Sequence, residues 1–111
     1  MIFNVRGHIE QILMGEKTQT RRRCEYHSPP RYDIGKTYAI QPRRGKKAIP
    51  FGRILITEST LETENIRVTI SKEDAKAEGG YTPDEYEVLF KKINPKWKAR
   101  WAYKFVFVPK G

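Results

Sequence analysis

The stretch ILMGEKTQTRRR, Ile12 to Arg23, changes its period halfway along, and the rest of the chain is read outward from that change. Upstream of it, His8-Ile-Glu-Gln-Ile-Leu-Met14 carries Ile9, Ile12 and Leu13 at helical spacing. Gly15 follows as a left-handed stop just past the last turn. Beyond it, Thr18, Thr20 and Arg22 alternate with Gln19 and Arg21, as a strand requires. The same few positions crowd together Lys17, two Thr hydroxyls, and Arg21, Arg22 and Arg23. That is the inventory of a site that grips an anion or works on a polar substrate, unless it is simply a solvated charge run.

Working outward, Ile2 and Phe3 read as a short first strand, and Ser28-Pro-Pro-Arg31 as a loop. Asp33-Ile-Gly-Lys36 is a turn into a strand from Thr37 to Gln41, and Pro42 to Lys47 is a basic loop. Phe51 to Thr57 is the best central strand candidate, and the Glu-rich stretch near Glu62 reads as exposed. Ile66-Arg-Val-Thr-Ile70 has the alternation of another strand. Ser71 with Asp74 starts a helix over Lys72 to Glu78, closed by Gly79-Gly80. Thr82-Pro-Asp-Glu85 starts a second, with an N-cap hydroxyl, a Pro at the first position and a Glu reaching back. That helix turns Tyr86, Leu89 and Phe90 inward, and Pro95 ends it. Trp101 to Val108 closes the chain as an aromatic strand. Five or six short strands with two or three helices make one α+β domain over residues 1–111, with the sheet expected to curl into a small barrel.

The chain carries a formal charge of +9, unevenly spread. Residues 1–53 hold 12 basic and 4 acidic side chains, residues 54–90 hold 3 and 9, and residues 91–111 hold 7 and none. Basic ends around an acidic middle give a folded domain strongly positive faces, which favours RNA or a nucleotide as partner. A single cysteine, Cys24, excludes an internal disulfide and fits a reducing, cytoplasmic setting. No apolar run suits a signal peptide or a membrane span. Cys24 and His27 have a two-residue gap known from zinc sites, but no second pair completes them, so no metal and no cofactor is expected.

Ile12-Leu13-x-Gly15-x-Lys17-Thr18-x-Thr20-x-Arg22 resembles the signature of ASCH domains, Gly-x-Lys followed after four residues by Arg. Tyr32-x-Ile-Gly35-Lys36-x-Tyr38 is similar to that family's turn into its next strand. Ala75-x-Ala-Glu78-Gly79-Gly80-Tyr81, leading into Asp84-Glu85-Tyr86, is similar to its acidic helix end. The resemblance implies a PUA-like β-barrel and a cleft lined by the signature Lys and Arg. One branch of this length hydrolyses the acetyl group of N4-acetylcytidine, and its proposed catalytic Lys, Thr and Glu fall on Lys17, Thr20 and Glu78. Arg21 stands where that branch has an apolar residue, and the loop from Arg43 to Lys47 is longer, so a larger, phosphate-bearing ligand is an alternative. Another ASCH type is a ribonuclease.

The chemistry of such a set is coherent without a metal. A desolvated Lys serves as base for a Thr nucleophile, and a Glu of raised pKa in a partly buried cleft supplies a proton to the leaving nitrogen. In a regular strand Lys17 and Thr20 point to opposite faces, so Lys17 must lie in the bend after Gly15. Arg22 is expected to anchor an anion, with Glu78 as a partner for its fork. Arg21, Arg23, Arg43, Arg44, Lys46 and Lys47 form the expected positive rim, and Tyr81 a surface for a base to stack on. Trp101 reads as core first and stacking platform second. Three functions follow: hydrolysis of an acylated nucleoside in a closed pocket, RNA binding along an open groove without chemistry, or metal-independent cleavage of RNA by Lys17 and an acidic partner.

Overall fold

A computed structural model describes residues 1–25, 28–43, 52–96 and 99–109. Helix α1 (His8–Leu13) leads into strand β1 (Gln19–Arg23), followed by β2 (Thr37–Ala39) and the long β3 (Gly52–Glu62). Helices α2 (Ile66–Thr69), α3 (Lys72–Gly79) and α4 (Pro83–Ile93) come next, and β4 (Arg100–Pro109) ends the fold. The strands form one antiparallel sheet in the order β1-β4-β3-β2. The last strand therefore lies inside the sheet, which is why it must be the aromatic one. Tyr103 and Phe105 from β4 meet Ile54 and Ile56 from β3, with Met1, Phe3, Ile12 and Ile40 closing over them. Each such buried side chain contributes about 1.5–3 kcal/mol.

The opposite face of the sheet is covered near β1 by the helices, which share a second cluster of Ile66, Ile70, Ala75, Tyr86 and Phe90. Both long helices start as their sequences require. Ser71 and Asp74 form a complete capping box on α3, and Thr82 and Glu85 form another on α4. Gly15 takes φ 78° immediately after α1, so the turn into β1 is the left-handed one.

The fold departs from expectation in three places. Among the described residues the sheet has four strands and stays open, so the closed barrel of five or six strands is not formed. Ile2 contributes only one parallel bridge, to Gln41, in place of a first strand. Between that segment and β1 the junction is a side chain: Arg22 Nη2 donates to the Ile2 carbonyl at 2.6 Å. A guanidinium fills the gap that a backbone ladder would close. Residues 66–70, read as a strand, form α2, because Asn65 Oδ1 accepts from the Arg67 amide and a helical turn puts Ile66 and Ile70 on one buried face. Four helices are present among the described residues where two or three were expected. No described helix is long and apolar enough to cross a membrane.

Candidate functional site

Strand β1 is an edge strand, and the site is built along its free edge. Its cross-strand partners on β4 run from Gln19 opposite Lys104 to Arg23 opposite Arg100. Side chains of paired residues share a face, so Thr20 and Arg22 lie with Tyr103 and Trp101 on the face of the main core. Gln19, Arg21 and Arg23 lie on the other face, under the helices. A cavity of about 480 Å³ is lined by residues of both faces, from Thr20 and Arg22 to Arg21 and Arg23, as only a cavity along the strand's edge can be. Phe3 and His8 wall it on one side, and Tyr86 and Phe90 on the other.

Lys17 lies just ahead of β1, which resolves the parity difficulty. It is outside the strand's alternation and reaches back across the edge. Its side chain is 1% exposed, and Nζ donates to the carbonyls of Gln19 (2.8 Å) and Glu78 (2.5 Å), with the Glu78 carboxylate 3.7 Å away. Burial lowers its pKa to about 8, against the pull of Glu78 and with the help of the Arg22 and Arg21 charges. Near neutral pH this amine is closer to its basic form than any exposed lysine. Thr20 is buried on the same cavity, and its Oγ1 accepts from Arg22 Nε at 3.2 Å. That contact leaves the hydroxyl its proton to give and a second lone pair.

The Glu78 carboxylate is ringed by donors and cations. Arg21 Nη1 donates to its Oε2 at 2.8 Å, Lys17 lies on its other oxygen, and the Tyr86 hydroxyl hydrogen-bonds to it. Burial, then the Glu78 charge, holds the Tyr86 hydroxyl well above its ordinary pKa, so it stays a donor. The Glu78 carboxylate thus accepts from Arg21 and Tyr86, and the Lys17 ammonium faces it as an ion pair. The expected pairing of Arg22 with Glu78 is replaced by Arg21, because Arg21 is the residue whose parity faces α3.

The positive rim is corrected too. Arg21 is buried, its Nε and Nη2 forked onto Glu62 at 2.9 and 3.0 Å, with Asp74 at 3.6 Å. Glu62, read as exposed, is held between Arg21 and Arg100, whose Nε donates to it at 2.9 Å. Arg23 is exposed and lines the cavity. Arg43 is exposed but does not, and Arg44, Lys46 and Lys47 lie outside the described residues. Gly15 is a turn residue away from the cavity. Tyr81 is half-buried and turned onto His8 instead of the cavity, its hydroxyl 2.7 Å from His8 Nε2. Trp101 packs on the main core and donates to the Ser28 carbonyl.

Two residues of the site were not among the expected catalytic or ligand-binding residues. Tyr86 had an inward phase on α4, but nothing in its spacing revealed a carboxylate for its hydroxyl. His8 shares the inner face of α1 with Ile12, one turn on, and that apolar setting reads as core. Burial, with the Lys17 and Arg22 charges, drives its pKa down to about 4, so it is neutral at physiological pH.

No protein-family model matches this chain, and no curated protein sequence does. Among solved structures it is similar to a protein from Enterococcus faecalis V583 assigned to the family-model DUF984. The TM-score is 0.63 at 18% identity, over 90% of this chain and 66% of that one. This chain thus spans just under two thirds of its neighbour's length, and at that identity the likeness speaks for the fold alone.

Proposed function

We propose that the chain is a PUA-like, ASCH-type domain whose cavity binds an acylated pyrimidine nucleoside and hydrolyses the acetyl group of N4-acetylcytidine. The observation that carries this reading is the buried Lys17 amine, with its pKa near 8, on a cavity that also holds the Thr20 hydroxyl. A volume of about 480 Å³ lies within the usual ~300–1,000 Å³ of small-molecule sites and suits one nucleoside better than a strand of RNA. The edge of β1 adds recognition. Thr18 and Cys24 pair with β4, so the Arg21 backbone amide and carbonyl point to the open edge, the polarity a cytosine ring requires. A lone cysteine fits the reducing cytoplasm as its setting.

In this reaction the neutral Lys17 amine takes the Thr20 Oγ proton as the oxygen attacks the acetyl carbon. Two of the amine's N–H groups are already engaged by the Gln19 and Glu78 carbonyls, which leaves its lone pair as the reactive valence. Collapse of the tetrahedral intermediate breaks the C–N4 bond, and the Lys17 ammonium gives its proton to the departing amine. Water then cleaves the Thr20 ester, one proton again passing through Lys17, and acetate leaves. Glu78, fixed by Arg21 and Tyr86, holds the ammonium between the two transfers.

Acetate release from N4-acetylcytidine tests the reading, with wild type beside Lys17→Met and Thr20→Val. Removing a base or nucleophile of this kind costs about 10²–10⁴-fold in kcat. No release by a folded wild type would remove the substrate. The exposed Arg23 and Arg31 at the cavity favour a second reading, RNA binding without chemistry. That reading requires an affinity that falls steeply with salt, and a flat response excludes it.

A further inference from the structure

The charges clustered around β1, buried and half-buried, do not cancel. Lys17, Arg21, Arg22 and Arg100 are the cations of the cluster, and Glu62, Asp74 and Glu78 its carboxylates. Four against three leaves one positive charge. Its location is not arbitrary. Arg21 and Arg100 share Glu62, and Lys17 and Arg21 share Glu78, whereas Arg22 donates only to neutral oxygens, those of Thr20 and Ile2. Among the described residues no carboxylate lies within ion-pair distance of Arg22, which lines the cavity. An uncompensated guanidinium out of bulk water is costly unless something of opposite charge completes it.

Arg22 and Lys17 address the same space. The Arg22 Cζ lies 4.9 Å from the Phe3 ring centroid and the Lys17 Nζ 6.0 Å from it. The groups facing Lys17 are His8 from α1, Arg21 and Arg22 from β1, and Glu78 from α3, with Tyr86 of α4 acting through Glu78. Only one of them is a carboxylate, and it is already shared with Arg21. With Lys17 neutral the cluster balances at three against three; with Lys17 protonated it needs one negative charge from outside.

We infer that the cavity is a receptor for a single oxyanion, seated between the Arg22 guanidinium and the Lys17 ammonium, and that it takes up one proton as it binds. Carboxylate and phosphate oxyanions share this chemistry. The first is the acetate product of the proposed reaction, and the second a phosphate on a nucleotide form of the substrate. In the deacetylation itself, the alkoxide formed beside Thr20 meets the same balance, since Lys17 gains its proton as the negative charge appears. Only the identity of acetate as product rests on the proposed function; the charge count stands without it.

Isothermal titration of the full chain with sodium acetate, and separately with inorganic phosphate, tests this at constant ionic strength set by chloride. Measurements at pH 7 and 9.5, in buffers of different ionisation enthalpy, read the proton count. The expected result is uptake of close to one proton above pH 8 and an affinity about tenfold or more weaker at pH 9.5 than at pH 7. Arg22→Gln loses binding and Arg22→Lys recovers part of it. The proton count in wild type needs no variant, so a misfolded Arg22→Gln leaves the test intact. Acetate bound more tightly than phosphate marks the product carboxylate as the source, and the reverse order marks a phosphate-bearing ligand. No binding of either anion, or binding at pH 9.5 with no proton uptake, overturns the inference. A wild type that binds acetate with proton uptake yet releases none from N4-acetylcytidine keeps the receptor and loses the reaction; turnover without anion binding does the opposite.

Discussion

At the residue scale, the fold resists the protons of two bases, His8 and Lys17. His8 has its pKa near 4 in the folded chain, against an ordinary 6.5. Between those values the unfolded chain holds a proton that the folded chain refuses, so stability declines as pH falls from about 6.5 to about 4 and then levels off. His8→Gln flattens this acid limb, by on the order of 2 kcal/mol at pH 4 relative to pH 7, measured by urea unfolding across pH. Lys17 works in the alkaline direction. In the proposed hydrolysis its neutral form is the base, so kcat/KM rises with pH through about 8 and then levels, where an exposed lysine would keep rising to beyond 10. The resemblance to ASCH domains brings Lys17, Thr20 and Glu78 forward as candidates, and all three line one cavity. What spacing could not reveal is the division of labour between Arg21 and Arg22. That depends on which face of β1 each side chain takes, and the pairing with β4 fixes it, some 80 residues along the chain.

At the element scale, the features that were legible are those written in local chemistry. The capping boxes of α3 and α4 and the glycine after α1 each satisfy backbone groups within a few residues, and all three stand where they were read. Ser71→Ala removes the cap of the helix that carries Glu78 and costs about 1 kcal/mol of stability by chemical denaturation. What was illegible depended on partners far along the chain. The run from Ile66 to Ile70 alternates like a strand, yet Tyr86 and Phe90 on α4 reward the helical turn that buries both isoleucines. The sheet end at Gly52 is equally tertiary. A Cβ there would stand 2.3 Å from the Val108 carbonyl oxygen and 2.6 Å from the Phe107 ring, so the backbones of β3 and β4 must part to admit one. Gly52→Ala lowers stability by about 1–3 kcal/mol, an overpacking cost readable as a drop in Tm.

At the scale of the whole molecule, the acidic middle of the sequence finds its purpose in the basic ends. Glu62 closes β3 against Arg21 of β1 and Arg100 of β4, while Asp74 and Glu78 bring α3 onto the same arginine. The charge segregation that reads as a polyanion-binding surface is therefore partly spent inside the fold. Glu62→Gln leaves two buried guanidiniums without their shared carboxylate and costs about 3–5 kcal/mol, measured by thermal unfolding. Arg22, which carries no carboxylate partner among the described residues, lines the cavity on the edge of the sheet that it holds against the N-terminal segment. The central claim is that this cavity is a hydrolytic site run by Lys17. The most direct test is the pH–rate profile of acetate release from N4-acetylcytidine, with Lys17→Met as the control. The account predicts release that rises to a plateau through about pH 8 and is lost in the variant. A folded wild type that releases no acetate anywhere in that range, or a Lys17→Met variant with an unchanged profile, contradicts it.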